Sequence, residues 1–156
     1  MADLLVHVAS AFVVGRPLRD GRLRSIVYLG VCLPDLLYKA LLYLGNSSTW
    51  LCEPTHAPLG QIPFCYAASL LFEEAWRKRA FVALLCGGWL HLLLDFAKSY
   101  MGAGVIPWAF PFSMQTVELG WYYPDDSVAL MLPALGVIAV VELLCRALRA
   151  RRPASP

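Results

Sequence analysis

The chain has 156 residues and a formal net charge of +2; 59% of its residues are hydrophobic, only 15% are charged, and its mean hydropathy is +0.59. Those values exclude an ordinary soluble domain and fit an all-α, polytopic transmembrane bundle of four to five helices. Residues 1–150 read as one integral-membrane domain and 151–156 as a short, flexible, proline-containing tail.

A spanning helix needs roughly 20 mainly apolar residues to cross a hydrocarbon core of about 30 Å. The first apolar stretch, residues 4–14, is too short for that and is expected to tilt, re-enter, or lie against other helices. A signal peptide is disfavoured there, because Asp3 precedes the stretch in place of Lys or Arg and no small-residue cleavage pattern follows. Full spans are predicted near residues 25–44, 58–76, 80–100 and 127–148. Pro34 and Pro133 fall inside two of them, each removing a backbone donor and favouring a kink.

Basic residues punctuate these segments. Arg16, Arg19, Arg22 and Arg24 follow the first stretch; Arg77, Lys78 and Arg79 separate the third and fourth; Arg146, Arg149, Arg151 and Arg152 end the chain. Eleven of the thirteen basic residues thus sit at alternate boundaries, which the positive-inside rule assigns to the cytoplasm. The N-terminus, the 45–57 loop and the 101–126 loop are then expected on the outer side, and the C-terminus inside. Charges dispersed beside spans do not make a nucleic-acid surface, so the expected surroundings are lipid. The five cysteines, Cys32, Cys52, Cys65, Cys86 and Cys145, show neither CxxC spacing nor a disulfide framework and read as small apolar residues.

The 101–126 loop interleaves Gly102, Gly104, Pro107, Pro111, Gly120 and Pro124 with Trp108, Phe110, Phe112, Trp121, Tyr122 and Tyr123, so one regular helix is impossible. Aromatic residues of this kind favour the headgroup level, where the loop either anchors the protein or covers a site. Glu118, Asp125 and Asp126 in it are read as solvated charges, with an oxygen ligand as the alternative.

The chain's three histidines, His7, His56 and His91, lie in or beside apolar segments that also carry Asp35 and Asp95. An ionisable group inside a bilayer is costly enough to mark function, and imidazole with carboxylate suits zinc or a similar divalent ion. His91 and Asp95 are four residues apart and share a helix face, either ligating one ion or supporting one another. With the arginines inside, His7, Asp35, His56, His91 and Asp95 are all expected at one depth on the outer side. Lys39, one turn after Asp35, either snorkels to headgroups, pairs with Asp35, or meets a phosphate.

These residues form short motifs that together resemble a family of membrane-bound metal-dependent hydrolases described as LexA-binding and inner-membrane-associated. The run from Leu5 through His7 to Ala11 resembles its N-terminal histidine motif; Pro34 and Asp35 resemble its Pro-Asp motif. Thr55 and His56 resemble its Thr-His pair, and Gly88 through His91 to Asp95 its closing helix. Ser99 and Tyr100, with Trp108, Pro111, Phe112 and Ser113, are similar to the segment that ends the pattern. The order of ligand types is also similar to zinc-dependent phospholipase C. Val6, Leu37 and Leu90 stand where the family usually has Thr, Asp and Ser, and no histidine follows His91, so the resemblance implies one or two ions.

It further implies metal-ligand roles for His7, Asp35, His56, His91 and Asp95, with Asp35 and Asp95 at the catalytic step and zinc as the foremost ion. Lys39, Trp108 and Phe112 are the expected substrate contacts, and the expected activity is a phosphoesterase acting on a lipid or other membrane-associated phosphate ester. Two rivals remain: a helical protein in which His7 and His91 bind haem or a transported metal, and a structural adaptor whose histidines only pack.

Overall fold

The structure, a computed structural model, describes residues 2–44, 52–99, 106–123 and 126–150. Among these residues five α-helices follow in order: α1 (Ala2–Gly15), α2 (Gly21–Leu44), α3 (Gln61–Ser69), α4 (Glu74–Ala97) and α5 (Ser127–Ala150). A 3-10 turn, Glu53–His56, precedes α3. No strand occurs among the described residues, where an isolated bridge joins Lys98 to Tyr122. Tyr100, Gly102, Gly104, Pro124 and Asp125, the first part of the 45–57 loop, and the tail at 151–156 lie outside the described residues.

Among the described residues three helices are long and apolar enough to cross a membrane, Gly21–Leu44, Glu74–Ala97 and Ala129–Leu148. None of the last window is buried inside the protein, and α5 presents Leu132 and Leu143 at 73% and 65% exposure. An apolar helix covered so little by its own chain suits hydrocarbon as its solvent.

The predicted span at 58–76 is corrected. Its helix, α3, has nine residues and rises only about 14 Å, which cannot cross a bilayer. Pro54, Pro58 and Gly60 keep the preceding chain out of the helix. At the other end the amides of Leu70, Leu71 and Phe72 bond three residues back, to Ala67, Ala68 and Ser69, so the helix tightens and stops. Extended Glu73, with φ −53° and ψ 144°, then starts α4. Average hydropathy detects apolar content and is blind to this punctuation.

The short third segment follows from topology. Val31 and Asp35 of α2 meet His91 of α4, while Arg22 at the start of α2 meets Glu73 and Trp76 at the start of α4, so the two helices run parallel. Parallel neighbours need a return path, and α3 supplies its lower half: Gln61 bonds the Gly88 carbonyl and Tyr66 packs on Phe81, one helix descending as the other rises. Arg16, just past the end of α1, pairs with Glu142 of α5, and Arg146 bonds the same carboxylate, so the basic regions gather at one end of the bundle.

Contact between α2 and α4 depends on two glycines. A Cβ on Gly30 would lie 2.4 Å from the Leu84 carbonyl oxygen, and one on Gly87 2.4 Å from that of Val27. Small residues let membrane helices approach backbone to backbone, and here that approach sets how deep the side chains above it interlock. Ile26, Val27, Cys65, Ala80, Ala83 and Leu84 pack as the core beside this crossing. Gly87→Val is therefore expected to destabilise the protein by about 1–3 kcal/mol, read as a lower melting temperature in detergent. Gly136→Ala, on α5 with nothing within 4 Å of the added carbon, serves as the unaffected control.

Candidate metal centre

Above the glycine crossing the structure gathers all of His7, Asp35, His56, His91 and Asp95. His7 comes from α1, Asp35 from α2, His56 from the 3-10 turn, and His91 and Asp95 from α4. His7 and His91 are 1% exposed, Asp95 5% and His56 8%, whereas the Asp35 side chain is 36% exposed and gives the cluster its opening. Two overlapping groups, His7 with His91 and Asp95, and Asp35 with His56 and His91, bring their ligand atoms within 4.8 Å of one another.

Hydrogen bonding on the far side of each ring fixes its protons. His91 Nδ1 lies 2.8 Å from the Val31 carbonyl, which can only accept, so Nδ1 holds the hydrogen. Pro34, one turn further along α2, cannot donate into the helical ladder and crowds the turn that carries Val31. The Thr55 hydroxyl donates to the Cys52 carbonyl at 2.6 Å, so its oxygen accepts from His56 Nδ1 at 3.0 Å. In the neutral ring both Nε2 atoms then present bare lone pairs.

Those lone pairs face carboxylates. His56 Nε2 is 3.6 Å from Asp35 Oδ1 and 3.8 Å from Asp95 Oδ2; His91 Nε2 is 3.8 Å and 3.1 Å from the same two atoms. Three of the four separations exceed hydrogen-bond length, and His91 Nε2 makes no hydrogen bond. Ligand atoms around a tetrahedral ion at roughly 2.0–2.1 Å stand about 3.3 Å apart, so this spacing is that of a ligand shell. Acceptors at this spacing could hold a cation between them, drawn from His56, His91, Asp35 and Asp95.

The other edge of Asp95 is differently occupied. His7 Nε2 is 3.2 Å from Oδ1, its ring tilted over that of His91 with centroids 4.1 Å apart. The Lys98 ammonium contacts the same oxygen and is fully buried. Sequence reading overlooked Lys98, although its place three residues after Asp95, on the helix face shared with His91, was signal enough. The aromatic loop buries it: Leu119 and Trp121 donate backbone hydrogen bonds to the Phe96 and Ala97 carbonyls, and Ser99 to that of Tyr122. Carbonyls left over at the end of α4 are thereby satisfied as the loop folds over the site.

Backbone carbonyls around the 3-10 turn are likewise bonded internally. Buried Gln61 donates to the Thr55 and Gly88 carbonyls at 3.2 and 3.4 Å, clamping the turn to α4. Tyr38 stands edge-on to His56 with centroids 5.3 Å apart.

The expected substrate contacts are less concentrated. Lys39 is exposed and in no ion pair with Asp35, as snorkelling requires. Trp108 packs edge-on against Phe96, the residue after Asp95, while Phe112 is 88% exposed. Glu118 accepts from Ser99 and Asp126 from the Tyr123 amide, so both are engaged within the loop and its border. All five cysteines are free thiols.

No protein-family model, curated protein or solved structure matches the chain. Because Thr55 orients His56, Thr55→Val is expected to lower affinity for a divalent ion about 10–100-fold, measured by competition with a chromophoric chelator. Unchanged affinity with retained helicity would remove His56 from the shell.

Proposed function

We propose that the protein is a membrane-embedded, metal-dependent hydrolase, a phosphoesterase acting on a lipid or another membrane-associated phosphate ester. The observation that carries this reading is the meeting of two imidazole Nε2 atoms and two carboxylate oxygens 3.1–3.8 Å apart. Zinc suits mixed nitrogen and oxygen donors: His56, His91 and Asp95 would hold it, with the fourth position left to water and Asp35 beside it. One ion is favoured over two, since each histidine with an assigned tautomer offers a single free nitrogen and the Lys98 ammonium already neutralises the far edge of Asp95.

A bound divalent ion would supply a water of lowered pKa and offset charge developing on phosphoryl oxygens. The chain's residues do the rest. Val31 and Thr55 hold His91 and His56 in the ligating tautomer. Asp95, gripped by His7 and Lys98, stays an anion. Asp35 lies where the cluster opens and is placed to accept the water's proton. Two carboxylates, one ammonium and a divalent ion leave one net positive charge, which favours an anionic ester over a neutral one.

The motif resemblance to membrane-bound hydrolases supports the same reaction class. Read by the positive-inside rule, the basic end would face the cytoplasm and the centre the outer half of the membrane, which the resemblance implies is a bacterial inner membrane. Haem between His7 and His91 fits poorly, because rings 4.1 Å apart leave no room for an iron and its macrocycle.

The test measures metal content beside turnover of a phospholipid panel. The wild type is expected to hold one zinc per chain and to lose activity to a chelator and regain it with zinc. Asp95→Ala and His91→Ala are expected to lose the metal and at least about 100-fold in turnover. Unchanged occupancy and turnover in Asp95→Ala would overturn the assignment.

A further inference from the structure

A second feature lies at the opposite, basic end of the bundle. There α1, the start of α2 and the first turns of α4 leave a groove of about 590 Å³, within the range of about 300–1,000 Å³ usual for small-molecule sites. Val14, Leu18, Leu23 and Val82 wall it, Ala83 is at its floor, and Lys78 and Arg79 stand at its mouth. Cys86 lies two helical turns above Lys78, so the apolar channel runs about 10 Å along α4 from the cations.

Chemistry at the mouth is that of an anion site. Lys78 and Arg79 are exposed, and neither makes an ion pair among the described residues. Arg79 is held over the Trp76 ring, 5.6 Å from its centroid, and Arg22 sits over the same ring while also meeting Glu73. Arg24 bonds the carbonyl of groove residue Leu18 at 2.8 Å, adding a third guanidinium nearby. Of the acidic side chains nearby, Glu73 is turned to Arg22, and Asp20 accepts from the amides of Arg22 and Leu23 at the start of α2.

We infer that this groove binds one anionic phospholipid, its acyl chain along Val14, Val82 and Cys86 and its phosphate against Lys78 and Arg79. Charge complementarity selects this occupant: the walls accept any hydrocarbon, but two uncompensated cations at the rim favour a headgroup with net negative charge. A peptide helix would leave those cations unanswered unless it were acidic. The inference is independent of the metal centre, which lies at the other end of α4.

The protein is equilibrated with equal amounts of phosphatidylglycerol and phosphatidylcholine in detergent, and retained lipid is counted by native mass spectrometry. The wild type is expected to hold one phosphatidylglycerol, with preference over phosphatidylcholine of about 5-fold or more. Lys78→Gln with Arg79→Gln is expected to bring that preference below about 2-fold. Cys86→Trp, filling the channel, should lose bound lipid of both kinds while metal content stays unchanged. Arg19→Gln, an exposed arginine outside the groove, should behave as wild type. Equal retention of the two lipids by the wild type, an unaltered preference in the double variant, or an equal loss in Arg19→Gln would each overturn the proposal.

Discussion

Two imidazole nitrogens and two carboxylate oxygens cannot rest beside one another in a low-dielectric interior unless something positive lies between them. Several features of this bundle place those four atoms. The glycines at positions 30 and 87 bring α2 and α4 close enough for the Val31 carbonyl to take the His91 proton. The Thr55 hydroxyl, itself spent on the Cys52 carbonyl, does the same for His56. Both rings are therefore turned by hydrogen-bond partners behind them, the way ligating imidazoles are oriented where a metal is bound.

The broken third segment is the structural condition for this arrangement. A continuous helix would present only one face at the level of the centre, whereas a turn can carry His56 into the interior between α2 and α4. Irregular backbone is tolerated at membrane depth only where the protein itself covers and bonds it. Cys52, Thr55 and His56 are buried, and Gln61 and Thr55 bond the turn's carbonyls. Discontinuous helices mark binding sites in other membrane proteins for the same reason.

Much of this was legible in the chain. Hydropathy found α2, α4 and α5, because length and apolar content are what a bilayer selects. The ligand candidates were legible too, since five ionisable groups in apolar surroundings have few alternatives to meeting one another, and the structure gathers them all. The false span at 58–76 came from averaging over Pro58, Gly60 and Pro63, whose backbone consequences hydropathy does not weigh. Lys98 was missed because attention to histidine and carboxylate left out the cation that holds the second oxygen of Asp95. The tautomers were beyond any sequence reading: Val31 is sixty residues from His91, and the crossing of two helices alone makes it a partner.

The two ends of the bundle also differ in charge logic. At one end carboxylates and rings converge on a space fit for a cation; at the other, lysine and arginine surround a space fit for an anion. X-ray absorption at the zinc edge of the metal-loaded protein tests the central claim most directly. The account predicts a first shell of two nitrogens and two oxygens at about 2.0–2.1 Å, with the outer-shell pattern of two imidazoles. A shell containing sulfur at about 2.3 Å, or one without imidazole scattering, would contradict it.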